Sequence, residues 1–108
     1  MTRQALPARR HCLTIEAEWQ GHPITVSVGL DLTGTAREVF ANMPKGGQMQ
    51  AVVADFCVAV SVAMQSGVPP QALAASFGRI PDPQKGKGAT DHASILGVVM
   101  QLVAEAGR

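Results

Sequence analysis

Apolar and polar residues alternate strictly from Leu13 to Trp19, with Leu13, Ile15, Ala17 and Trp19 on one side and Thr14, Glu16 and Glu18 on the other. A period of two marks a strand with one wet face. After the turn residues Gln20-Gly21-His22-Pro23, the pattern repeats as Ile24, Val26, Val28 and Leu30 against Thr25, Ser27 and Gly29. Two such runs around a glycine-containing connection predict a hairpin of strands over 12–19 and 24–31. The cluster Asp31-Leu32-Thr33-Gly34-Thr35 turns the chain again. A third strand over 36–42, carrying Glu38-Val39-Phe40, completes an antiparallel meander.

The pattern then changes. From Met49 to Met64 nearly every residue is Ala, Val, Phe, Cys or Met, and Asp55 is the sole charge. The length predicts a helix over 48–66, ended by Gly67. A helix apolar on most sides needs cover on most sides, so this one is expected on the sheet and beneath the later helices. Pro69-Pro70 opens a second helix over 70–77. The stretch Arg79–Ala89, rich in Gly and Pro, reads as a mobile loop. A last helix is predicted over 91–106, capped by Thr90 or Asp91, with Ile95, Val98, Val99, Leu102 and Val103 at helical spacing. Strands first and helices afterwards imply an α+β domain over 12–106, preceded by a basic arm over 1–11 that carries Arg9 and Arg10.

Composition narrows the chemistry. A net charge of +1 gives no overall field of the kind that marks a nucleic-acid or membrane-surface binder. Tyr is absent and a single Trp is present, so stacking platforms for bases are scarce. Cys12 and Cys57 stand alone, without the paired ligand spacing of a zinc site, and read as small apolar residues of a reduced compartment. The basic N-terminal residues are not followed by an apolar run, and Asp55 interrupts the longest apolar stretch. The expectation is a cytoplasmic protein without a membrane span.

The succession Glu38-Val39-Phe40, Lys45-Gly46-Gly47, a long apolar helix and Ser66-Gly67-Val68-Pro69-Pro70 resembles the TSCPD domain, over roughly residues 13–104. That domain closes many cobalamin-dependent ribonucleotide reductases and also occurs as a free-standing small protein. The Thr-Ser-Cys-Pro-Asp stretch that names the family corresponds here to Asp91-His92-Ala93-Ser94-Ile95-Leu96-Gly97, which lacks both the cysteine and the proline. The resemblance implies reductase activity and a cobalamin cofactor for the larger relatives. It implies neither for this chain alone.

Three places carry candidate chemistry. Lys45, Gly46, Gly47 and Gln48 lead into the long helix, where converging backbone N–H groups and the helix dipole suit a phosphate. The spacing is not that of a Walker loop, and the plainer reading is a strand-to-helix turn with a solvated lysine. Arg79, Lys85 and Lys87 lie in the Gly-rich stretch and suit phosphates or a nucleic-acid backbone, unless they form only a solvated loop. Asp91 beside His92 has the composition of a base with its orienting carboxylate, although helix capping by Asp91 accounts for it more simply. Asp55 in the apolar helix is expected to meet Arg37, a backbone N–H or a neighbouring subunit, or else to lie on an exposed edge with Gln48, Ser61 and Gln65.

The resulting expectation is a non-catalytic binding or accessory domain. It would recognise a nucleotide or nucleic acid through the Gly-Lys loop, or a protein partner such as a separately encoded reductase. A dimeric interaction protein without a small ligand is the alternative, since the apolar helices suggest surplus surface for self-association.

Overall fold

The computed structural model describes residues 11–107. Strands β1 (His11–Trp19), β2 (His22–Leu30) and β3 (Ala36–Asn42) form an antiparallel sheet in that order. Gln20 and Gly21 make the two-residue turn between β1 and β2, with φ of 48° and 81°, and Trp19 pairs with His22. Positive φ at both turn residues matches the right-handed twist of the hairpin. Pro23 is tolerated in the middle strand because β3 ends at Asn42, opposite Thr25.

Helix α1 (Gly47–Gln65) packs alongside β3, the last strand of the sheet. Helix α2 (Pro70–Ala75) lies against α3 (Ile95–Ala106), which crosses the apolar face of all three strands. The core is closed by Ile24, Val26, Val28, Val39, Val53, Met64, Val99, Met100 and Val103. The expected α+β order of three strands and three helices is therefore present, with the long helix on the sheet.

The structure differs from the sequence reading at several element boundaries and in the cover over α1. The last helix begins at Ile95 rather than at 91, and Ser94, not Thr90 or Asp91, occupies its N-cap. Thr90–His92 instead forms β5, paired with β4 (Arg79–Pro81), so the predicted loop is a hairpin with a short 3₁₀ turn at Pro83–Lys85. Glycines with φ of 125° and 77° at Gly86 and Gly88 let the chain reverse there, and Asp82 N–H closes on the Ala89 carbonyl at 2.9 Å. Helix α2 stops two residues short of Phe77. The predicted arm overlaps β1 at His11, and its remainder lies outside the described residues.

The cover over α1 differs more consequentially. Its outward side is exposed, with Val58 at 62%, Val52 at 52% and Asp55 also open to solvent. By length and composition α1 is apolar enough to cross a bilayer, but here its buried face lies on the sheet. Arg37 does not meet Asp55. Its Nε donates to Asp31 Oδ2 at 2.9 Å and its Nη1 to the Met64 carbonyl at 2.8 Å, tying the β2–β3 turn to the end of α1. Ser61 and Gln65, expected on an exposed edge, are the buried polar residues of the helix.

The open edge of β3 explains why Ser61 is buried. Ser61 Oγ accepts from Val39 N–H at 3.0 Å and donates to the Val39 carbonyl at 3.3 Å. Gln50 Oε1 accepts from Met43 N–H at 2.6 Å, and Gln50 Nε2 donates to the Ala41 carbonyl at 3.3 Å. Side chains of α1 thus replace a fourth strand. Ser61→Ala is expected to destabilise the protein by about 1–3 kcal/mol, because both Val39 groups lose their partner in a dry site. Exposed Ser76→Ala should change stability by no more than about 0.5 kcal/mol, and urea unfolding of both variants checks the contrast.

Asp31 Oδ1 also accepts from Thr33 N–H at 2.8 Å, Thr33 Oγ1 at 2.6 Å and Thr35 N–H at 3.0 Å. The Thr33 hydroxyl and then the Arg37 guanidinium hold this carboxyl well below the usual carboxylate range. Its contribution to stability is complete above the unfolded value of about 3.9 and is lost as pH falls below it. Asp31→Asn is expected to lower stability at pH 7 and to flatten the acid limb of the stability curve below about pH 4, read by urea unfolding across pH.

Candidate functional site

The candidate residues fall into two groups. Lys45, Gly46, Gly47 and Gln48 form the exposed entry to α1, with φ of 62° and 81° at the two glycines. No side chain caps this helix start, and Lys45 makes no hydrogen bond or ion pair among the described residues. Gly46 N–H is already spent on the Met43 carbonyl at 2.9 Å.

Arg79, Lys85, Asp91 and His92 come together on the β4–β5 hairpin. Arg79 stands opposite His92 in the ladder and reaches back along β5. Its Nε donates to Thr90 Oγ1 at 2.7 Å, its Nη2 to the Thr90 carbonyl at 3.1 Å, and its Nη1 to His92 Nδ1 at 3.1 Å. A guanidinium has five N–H groups, so two remain unspent. Nη1 also lies 3.4 Å from His92 Nε2, and Nε2 faces Gln101 Oε1 on α3. Lys85 Nζ lies 3.6 Å from Asp91 Oδ1 and 3.7 Å from Asp82 Oδ2. The backbone N–H of His92, with Lys85 as a weaker cause, holds the Asp91 carboxyl below its ordinary value. Lys87 is exposed, without a polar partner among the described residues.

The hairpin is anchored to the sheet by Trp19, whose Nε1 donates to the His92 carbonyl at 3.0 Å. Between hairpin, α2 and α3 lies a cleft of about 430 Å3, walled by Ala74, Ala75, Gly97 and Ala104 and edged by Arg79, His92, Gln71, Gln101 and Glu105. Sequence reading missed Gln71, Gln101 and Glu105. A signal for two of them existed, since Gln101 and Glu105 lie four and eight residues after Gly97 on one side of α3. Gly97 is required by His92 itself, because a Cβ there would lie 2.8 Å from His92 Nδ1.

Neither group assembles a nucleophile with a base. Cys57 is buried, its thiol is pushed up to about 11 by burial, and its sulfur faces the Ala41 N–H. Asp91 does not orient the imidazole, since its Oδ1 accepts the His92 backbone N–H at 2.8 Å. Asp55 is exposed on α1 and makes no hydrogen bond or ion pair among the described residues.

A meander closed along one edge by a long helix, with a basic hairpin pinned to it, defines a small α+β domain. The chain belongs to the TSCPD family, whose domain model matches residues 2–106. It is also 33% identical over 76 residues to a vitamin B12-dependent ribonucleotide reductase of Agrobacterium fabrum (strain C58 / ATCC 33970). That match covers 69% of this chain but 6% of the reductase. No solved structure gives a significant match.

Gly97→Ala should fail to stabilise α3 despite the better helix propensity of alanine. In the double variant His92→Ala/Gly97→Ala the ring contact is gone and only the 3.1 Å approach to the Cβ of residue 92 remains, so a coupling energy of at least about 0.5 kcal/mol is expected in the denaturation cycle.

Proposed function

We propose that this protein is a non-catalytic binding and accessory domain that recognises a phosphate-bearing ligand, a nucleotide or a nucleic-acid backbone, through the hairpin cleft. The observation that carries this reading is the Arg79 guanidinium, held on one side by Thr90 and His92 while two N–H groups remain for a ligand. Lys87 adds a free cation on the same hairpin, whereas Lys85 is partly neutralised by Asp82 and Asp91. Lys45 and its glycines offer a second anion contact at the start of α1. The similarity to a B12-dependent ribonucleotide reductase favours, as a second reading, a reductase chain as the protein partner.

Titration of a labelled nucleotide and of labelled single-stranded DNA, at about 50 and 200 mM salt, tests the proposal. Binding should weaken with salt and fall by roughly 10- to 100-fold in Arg79→Ala. Absence of binding at low salt, or binding unchanged in Arg79→Ala, would refute the phosphate reading. A parallel arm measures retention of a purified B12-dependent reductase on the immobilised protein, and no retention at low salt removes the second reading.

A further inference from the structure

The two edges of the main sheet are treated differently. The β3 edge is closed by Gln50, Cys57 and Ser61 of α1. Strand β1 has β2 on one side, and among the described residues no strand pairs with its other side.

The direction of its backbone groups follows from the ladder. Val39 and Ala41 aim theirs at α1, so Glu38, Phe40 and Asn42 bond β2 through Gly29, Ser27 and Thr25. Val28, Val26 and Ile24 then bond Leu13, Ile15 and Ala17. The N–H and C=O groups of Cys12, Thr14, Glu16 and Glu18 therefore face outward along the open edge.

Of the usual edge protections β1 carries only charge, in Glu16 and Glu18 at one end. Over nine residues β1 has no Lys, no Pro and no bulge against β2. Its apolar side chains are also incompletely covered. Leu13, Ile15, Ala17 and Trp19 are half-buried, while their β2 neighbours Ile24, Val26 and Val28 are fully buried. The core layer is thus unfinished along the same line as the backbone edge.

We propose that β1 pairs antiparallel with β1 of a second copy of this chain, joining two three-stranded sheets into one of six. Charge identifies the occupant. In the sequence Arg9, Arg10 and His11 lead into β1, and Glu16 and Glu18 end it. Antiparallel pairing about a twofold axis at Thr14 brings the end of β1 that carries no acid in one copy beside the glutamate-bearing end of the other. Thr14 then faces Thr14, Leu13 faces Ile15 and Cys12 faces Glu16, so no glutamate stands opposite another. A shift of the axis to Glu16 would set like charges against each other, which selects against that register.

Sedimentation equilibrium of the whole chain, with hydrogen exchange at two protein concentrations, tests the interface. A dimer is expected, with the Thr14 and Glu16 amides protected at high concentration and exchanging faster on dilution. Thr14→Pro removes an outward N–H and should weaken dimerisation at least 10-fold while leaving the helical circular dichroism unchanged. If that variant does not fold, Glu16→Lys/Glu18→Lys decides, with a loss of at least 10-fold expected. Val58→Lys, on the exposed side of α1, should leave the dimer intact. A monomer up to about 100 μM, above the μM-to-pM range of standard-size interfaces, would overturn the proposal. So would a dimer insensitive to both β1 variants, or one abolished by Val58→Lys.

Discussion

The fold turns on how β3 is finished. A three-stranded sheet leaves two rows of backbone N–H and C=O groups without strand partners, and a buried row is expensive. Here the long helix lies beside that row and offers it Gln50, Cys57 and Ser61, spaced seven and four residues apart along one side of the helix. Three helical turns separate Gln50 from Ser61, so both face β3. This arrangement fixes the height of α1 along the strand as well as its rotation. Arg37 locks the far end by bonding both the Met64 carbonyl and Asp31.

Because α1 packs on the sheet along β3 alone, it leaves the rest of the apolar face to another element. That face is taken by α3, which runs from the β1–β2 turn end, where Trp19 holds His92, toward the start of β3, where Gly107 lies against Ala36. The consequence is an α1 whose outer side remains apolar and open, and a hairpin carried to the rim by the start of α3. The rim is where the free donors of Arg79 collect. The interior is tightly satisfied, and even the polar atoms of Ser61 are committed to backbone.

Much of this was legible in the residues. Alternation located the first two strands of the main sheet, the turn cluster at Asp31–Thr35 placed the third after it, and the long run from Met49 to Met64 located α1 to within a residue or two. The burial of α1 was misread because apolar composition alone does not say which element will cover it. The polar residues Gln50 and Ser61, spaced three turns apart, were the available signal for an edge-on helix. The hairpin at Arg79–His92 was hidden for another reason. Its strands are three residues long, one of them ends in Pro81, and Pro83, Gly86 and Gly88 lie between them, so no period can show. Their pairing depends on long-range contacts, Arg79 with Thr90 and Trp19 with the His92 carbonyl, which local pattern does not encode.

The departure from the family's naming motif has a physical account in the same contacts. Where the motif would place cysteine and proline ahead of the helix, this chain runs an extended β5 up to His92 and begins α3 only at Ile95. A proline there would deprive the chain of an N–H, and Ala93 N–H is needed by the Gly78 carbonyl at 3.1 Å. His92 then occupies the space that Gly97 leaves and reaches Gln101 one turn further on. His92, Gly97 and Gln101 therefore form a matched set, with the imidazole bridging α3 to Arg79. What distinguishes this chain from the motif is the same set of residues that holds the Arg79 guanidinium at the cleft.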